Sequence, residues 1–202
     1  MSKSPNYAVG TIPKIGFIIH GTIGNYEGAV DWLCKTPEQR FAKTGEKTYS
    51  SAHYVIAKDG RFTQLVEEKD VAWHAGTVSN PTEYAKSVLP KTVFGTFKNP
   101  NESFIGIELE WFVGDAITDS QRNVVTQIIR NSGIKNPVIL CHKEIASFKS
   151  DFQTTGGILD TTFIERLRKE SAMYWAPQKP VTPPTLSVEE KKAQIIKLIN
   201  EL

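Results

Sequence analysis

Short apolar runs alternate along this chain with segments of helical period, and that alternation restricts the fold more than any other feature. Lys14 to His20, containing Ile15-Gly16-Phe17-Ile18-Ile19 and preceded by Pro13, reads as a buried strand. Phe104 to Glu110 reads as a second, and Val138 to Cys141, ending at His142, as a third. Between them Glu27 to Lys35 reads as a helix with Ala29, Val30 and Leu33 on one face. Pro37 to Thr48 is polar and reads as loop. Asn80-Pro81-Thr82-Glu83 has the chemistry of a helix start, with Asn80 as cap and Pro81 at the first position, and that helix ends before Pro90. Thr118-Asp119-Ser120-Gln121 is a capping box, opening a helix with Val124, Val125, Ile128 and Ile129 at helical spacing and Gly133 at its end. A last helix follows Asp160, with Phe163, Ile164 and Leu167 on one side. Strands alternating with helices predict an α/β domain, a mixed central β-sheet flanked by helices. The sheet cannot be wholly parallel, because His53 to Ala57 and Arg61 to Val66 flank Lys58-Asp59-Gly60, a strong hairpin signal.

The composition changes after Trp175. Ala176 to Leu186 carries Pro177, Pro180, Pro183 and Pro184 and reads as a semi-rigid linker. Ser187-Val188-Glu189-Glu190 is a second capping box, opening a C-terminal helix to Leu202 with Val188, Ile195, Ile199 and Leu202 in a stripe. The expected organisation is a domain over 1–175, a linker over 176–186 and a helix over 187–202. That helix could serve self-association or fold back on its own domain; its shortness favours the second. At 202 residues, 40% hydrophobic and 23% charged, the chain has an ordinary soluble composition. A net charge of +2 with no basic block interleaved with aromatics argues against a nucleic-acid partner. Met1 to Tyr7 lacks the apolar stretch of a secretory signal or a membrane span, so synthesis and residence in the cytoplasm, or export by an unencoded route, is expected. Cys34 and Cys141 make no disulfide framework and read as small buried hydrophobes. Strand alternation turns Cys141 away from its neighbour His142.

His20 and His142 both end apolar runs, and Asp151 follows in the loop after the second. Two imidazoles at the ends of buried strands plus one carboxylate can supply three ligands and leave a fourth position open, the arrangement of a catalytic zinc. The same residues could equally be polar groups where strands surface. The neighbouring segments raise the metal reading: Ser51-Ala52-His53-Tyr54, Ala72-Trp73-His74-Ala75-Gly76, Ile105-Gly106-Ile107-Glu108-Leu109-Glu110 and Lys149-Ser150-Asp151.

In that order, from about Ile15 to Arg168, these segments resemble the zinc-dependent N-acetylmuramoyl-L-alanine amidases of type 2, the family shared by phage lysins, bacterial wall amidases, cytoplasmic anhydro-muropeptide amidases and animal peptidoglycan-recognition proteins. The resemblance implies Zn²⁺ as cofactor, with His20, His142 and Asp151 as its ligands, and a peptidoglycan or muropeptide substrate cut between the lactyl group of muramic acid and L-alanine. It implies Glu108 as the proton-transferring carboxylate, with Glu110, of the same strand parity, as the alternative. It implies Lys149 beside the negative oxygen of the tetrahedral intermediate. Trp73 and His74 fall in the segment that borders the family's substrate groove, where His74 could bind substrate or fix its own loop. His53 reads as structural or as a partner to a ligand. Ala52 stands where some relatives carry Tyr, and the loop from His142 is about one residue shorter than in the cytoplasmic members. The resemblance does not reach the tail after Trp175. Among biological roles a phage lysin, released to the wall by a holin, ranks ahead of a cytoplasmic recycling enzyme. A peptidoglycan-binding module without catalysis ranks lower, because relatives of that kind lack a ligand that is present here, and incidental histidines in a structural domain would not explain the order of the motifs.

Overall fold

The computed structural model describes residues 3–155 and 160–175. In chain order its elements are β1 (Tyr7–Ala8), β2 (Gly16–Gly21), α1 (Tyr26–Cys34), α2 (Pro37–Thr44), β3 (Tyr54–Ile56), β4 (Phe62–Gln64), β5 (Val71–Ala72), α3 (Glu83–Val88), α4 (Pro100–Ser103), β6 (Phe104–Leu109), α5 (Asp119–Asn131), β7 (Val138–Cys141), α6 (His142–Ile145) and α7 (Thr162–Trp175). The expected linker over 176–186 and helix over 187–202 lie outside the described residues.

The central sheet has the order β4-β3-β6-β2-β7, and β1 pairs with β5 in a separate two-stranded sheet. β3 and β4 are antiparallel, joined across Asp59-Gly60, while β3, β6, β2 and β7 run parallel. The mixed α/β sheet flanked by helices is therefore as the alternation of segments requires.

Register sorts the side chains onto two faces, because neighbours along a strand point oppositely. Phe17, Ile19, Ile105, Ile107, Leu109, Ile139 and Cys141 lie in one core cluster with Val125, Ile128 and Ile129 of α5 and Ile164 and Leu167 of α7. Each buried side chain of this size contributes about 1.5–3 kcal/mol. Cys141 thus points away from His142's site, as strand alternation requires. The opposite face carries Ile18 and Leu140 with Ala85, Leu89 and Ile145, and Val55 packs with Leu33 of α1. His20 and Glu108 continue that second face to the carboxyl ends of the strands.

Local structure departs from expectation at a few places. Pro37–Thr44 is a helix, not loop: Thr36 caps it with a full capping box to Gln39, Pro37 begins it, and Gly45 at φ 76° closes it. Its polar sequence hides its one buried side chain, Arg40. The cap of α3 is Thr82, whose side chain accepts from the Ala85 N–H; Asn80, at φ 49°, lies outside the helix. α6 interrupts the expected 143–155 loop, so His142 begins a helical turn directly after β7. Cys34, at the end of α1, is half-buried, whereas Cys141 is fully buried, and both are free thiols.

Candidate metal and catalytic site

β2 and β7 are adjacent and parallel, so their carboxyl ends bring His20 and His142 together. The two Nδ1 atoms are 2.9 Å apart. Asp151 closes the triangle: its carboxylate oxygens stand 3.8 Å from His20 Nδ1 and 3.7 Å from His142 Nδ1. Oδ1 of Asp151 also accepts from the Gly21 backbone N–H at 3.0 Å, which fixes the carboxylate to the end of β2. All three residues are buried. The geometry therefore gathers the three residues that the sequence picked out, with His20 and His142 lying 122 positions apart in the chain.

The hydrogen-bond network determines where the ring protons sit. A backbone carbonyl only accepts, so a ring nitrogen facing one must carry hydrogen. His142 Nε2 donates to the Ala75 carbonyl oxygen at 2.8 Å. His74 Nε2 donates to the Phe104 carbonyl oxygen at 3.3 Å, leaving its Nδ1 as an acceptor for His20 Nε2–H at 3.0 Å. Burial holds His20 and His74 well below the usual imidazole range and His142 down to about 4, so these rings are neutral at pH 7. For His142 the Lys149 charge adds to the burial. It follows that both facing Nδ1 atoms bear lone pairs and no proton. Two electron pairs 2.9 Å apart with a carboxylate alongside form a donor set suited to a metal ion. Two imidazoles and one carboxylate suit zinc, and rings whose other nitrogen is tied to a carbonyl or to a second ring are typical of such ligands.

A cavity of about 430 Å³ opens on these atoms and is also lined by Thr22, Ile23, Trp32, Ser50, His74, Glu108, Phe148 and Lys149. Glu108 is the direct register partner of His20 across the β2–β6 ladder. Burial, and secondarily the negative Asp151, push its carboxyl up to about 8 against the opposing pull of Lys149. Burial also raises Asp151. The Lys149 charge acts on His20, Glu108, His142 and Asp151 alike. Its loop is tied down by the Lys143 ammonium, which donates to the Ser147 and Lys149 carbonyl oxygens at 3.0 and 2.8 Å.

Glu110, Trp73 and His53 lie off the cavity, and His74, on its wall, is engaged within the protein. Glu110 does not share the cavity with Glu108: its carboxylate accepts from the Lys58 N–H at 2.9 Å, at the base of the hairpin. Trp73 is not among the cavity-lining residues; its backbone pairs with Ser51 through the Trp73 N–H to Ser51 Oγ and the Ser51 N–H to the Trp73 carbonyl. Both ring nitrogens of His74 are engaged within the protein, which leaves neither for substrate. His53 is held apart from the donor set. Its Nδ1 accepts from the Gly106 N–H and its Nε2 donates to the Asp70 carbonyl, so it joins β6 to the turn before β5. Ser50 and the exposed apolar rim of Ile23 and Phe148 were not read from sequence, since only the fold brings them to the cavity.

Fold and site together define an α/β domain with a buried imidazole–imidazole–carboxylate centre at the carboxyl ends of parallel strands. The family described as N-acetylmuramoyl-L-alanine amidase matches residues 13–154, and the chain belongs to that family, the type 2 amidases and their peptidoglycan-recognition relatives. N-acetylmuramoyl-L-alanine amidase A of Achromobacter lyticus is 35% identical over 75 residues, 37% of this chain and 37% of that protein. The match thus spans little more than a third of that relative. Among solved structures, that of a selenomethionine AmpD derivative aligns with a TM-score of 0.59 at 21% identity, covering 81% of this chain and 90% of that one. An endolysin amidase, LysCS of Clostridium intestinale, aligns with a TM-score of 0.50 at 16% identity, covering 84% and 90%. At these identities the two structures speak to the fold alone.

Proposed function

We propose that this chain is a zinc-dependent N-acetylmuramoyl-L-alanine amidase that hydrolyses the amide between muramic acid and L-alanine. The observation that carries the reading is the pair of unprotonated Nδ1 atoms of His20 and His142 facing each other beside Asp151, with Glu108 and Lys149 on the same cavity. His20, His142 and Asp151 would hold the ion, which supplies Lewis acidity toward a carbonyl oxygen and makes a water acidic near neutral pH.

The rest of the chemistry falls to the chain's own groups. Burial, and secondarily Asp151, raise the Glu108 carboxyl to about 8 in the metal-free protein, and a cation beside it would draw that value back down toward neutrality. A carboxyl so poised takes a proton from the attacking water and returns it to the departing amine of L-alanine. Lys149 at the cavity wall offsets the negative oxygen of the tetrahedral intermediate, an effect worth roughly 3–4 kcal/mol where water is excluded. Ile23 and Phe148, 53% and 71% exposed, offer apolar contact at the mouth to the substrate's sugar and lactyl surfaces.

For biological setting we favour wall lysis, as by a phage lysin, over recycling of soluble anhydro-muropeptides. An open cavity with an apolar rim suits a polymer strand passing across it. No helix among the described residues is long and apolar enough to cross a membrane. The test is mass spectrometry of the products from intact sacculi and from soluble anhydro-muropeptides. Release of L-alanine amino termini, abolished by chelation and restored by Zn²⁺, is expected, and faster on sacculi. Undiminished activity after exhaustive metal removal would contradict the chemistry, and preference for the soluble substrate would replace the lysin by a recycling enzyme.

A further inference from the structure

We propose that Asn101 is a positioning residue for the metal centre, gripping in one side chain the two backbone positions that orient both histidine ligands; this rests on the metal reading above. The two imidazoles are held by consecutive residues. His20 Nε2 donates to the His74 ring, and His142 Nε2 donates to the Ala75 carbonyl. The backbone N–H groups of those same residues, His74 and Ala75, both donate to Asn101 Oδ1, at 2.9 and 2.8 Å. A single buried carbonyl oxygen therefore sets the position of the His74–Ala75 segment, and through it the aim of both Nδ1 atoms.

The orientation of the Asn101 amide is itself determined. Two N–H groups face one of its terminal atoms, which must be the oxygen. Its Nδ2 then donates to Asn99 Oδ1 at 3.0 Å. Asn99 Oδ1 also accepts from the Asn101 N–H at 3.1 Å, capping α4. From below, Lys14 Nζ donates to the Asn101 and Glu102 carbonyl oxygens, at 3.2 and 3.1 Å, and so holds the same turn. The fourth constraint is steric: the His74 ring lies on Gly106, where a Cβ would come within 2.3 Å of His74 Cγ. α4 leads directly into β6, so the clamp is continuous with the strand that carries Glu108.

The consequence is a coupling between a residue that touches neither metal nor substrate and the affinity of the site for its ion. Groups that orient metal-bound histidines contribute about 10–100-fold to metal affinity. Asn101→Leu keeps the volume and removes the acceptor; Asn101→Asp keeps an acceptor oxygen toward His74 and Ala75. The measurement is Zn²⁺ affinity of the full chain by competition with a chromophoric chelator, together with the visible spectrum of the Co²⁺-substituted protein. Asn101→Leu is expected to bind Zn²⁺ about 10–100-fold more weakly with an altered Co²⁺ spectrum, and Asn101→Asp to recover most of the loss. A second measurement needs no variant: nitrogen-15 spectra of the zinc-loaded wild-type protein should show His74 neutral and protonated on Nε2. Wild-type Zn²⁺ affinity and Co²⁺ spectrum in a folded Asn101→Leu protein, or a His74 protonated on Nδ1, would overturn the clamp while leaving the metal reading intact. A wild-type protein that binds no Zn²⁺ would overturn both.

Discussion

Glu108 lies directly opposite His20 across the parallel β2–β6 ladder, so the proposed proton carrier and one proposed ligand project from the same face at the same level of the sheet. The placement follows from strand geometry, not from any contact between the two side chains. Glu108→Gln preserves shape and removes the titrating oxygen without touching the donor set. It should retain Zn²⁺ at one per chain and lose about 10²–10⁴ in kcat on a muropeptide. Metal content and single-substrate kinetics on the same preparation check both halves. A normal rate would take the proton-transfer role away from Glu108, and Glu110, bound to the Lys58 N–H, is not placed to inherit it.

Asp151 has two tasks that substitution can separate. One oxygen accepts from the Gly21 N–H, and the carboxylate's charge stands beside both Nδ1 atoms. Asp151→Asn keeps an acceptor for Gly21 and discards the charge. The metal-free variant should therefore melt close to the metal-free wild type. Saturating Zn²⁺ should raise the melting temperature of the wild type, since a ligand at a thousand times its Kd adds about 4 kcal/mol, and should barely move that of Asp151→Asn. An equal zinc-induced shift in both proteins would remove Asp151 from the ligand set.

How much of this could be read from the chain depends on which interactions are local. His20 and His142 stood out because each ends a run apolar enough to be a buried strand, and the side-chain parity of β6 placed Glu108 apart from Ile107 and Leu109. What the sequence does not carry is register between strands distant in sequence, so the pairing of His20 with Glu108 and the departure of Glu110 to the hairpin emerge only from the fold. Asn101 was invisible for the same reason: its acceptor oxygen serves backbone groups 26 and 27 residues away. The helix Pro37–Thr44 is different, since Thr36, Pro37, Gln39 and Gly45 spell out its start and stop. Its low apolar content masked those local signals.

The four histidines also make the metal-free protein sensitive to acid. Burial holds His53 near 3 and His142 near 4, with His20 and His74 well below the ordinary value, so the unfolded chain takes up these protons first as pH falls below 6.5. Their folded-state values are depressed, so stability drops with pH in that window. Glu108, raised to about 8, and Asp151, also raised, act oppositely, because the folded state keeps their protons where the unfolded chain has released them. Four histidines against two carboxyls leave a net uptake of protons on unfolding in that window. Stability should therefore fall between pH 6 and pH 5. Urea unfolding of chelator-treated protein at the two pH values measures this; equal midpoints would show that the histidines are not held neutral.

Arg40 gives a prediction about the cavity wall. It is fully buried in α2, and among the described residues no carboxylate is a hydrogen-bond partner of it. Its Nε and Nη2 both donate to the Trp32 carbonyl at the end of α1, and its remaining contacts go to the Thr48 carbonyl, Ser50 Oγ and the Ser50 carbonyl. Trp32 and Ser50 line the metal cavity, so this guanidinium ties two parts of the cavity wall together from behind. Arg40→Met fills similar space and takes these donors from the part-buried Thr48 and Ser50 carbonyls, at about 1–3 kcal/mol for each one left unsatisfied, while the Trp32 carbonyl keeps the Lys35 N–H. A loss of several kcal/mol in urea unfolding is expected. Arg40→Lys should recover only part, because one ammonium cannot span acceptors on both the Trp32 and Ser50 sides as a planar guanidinium does. In whatever fraction of Arg40→Met remains folded, Zn²⁺ affinity should be near wild type, since none of the donors that aim His20 and His142 touches Arg40, while KM for muropeptide should rise. A variant that folds as stably as the wild type would show that water replaces the guanidinium and that the wall does not depend on it.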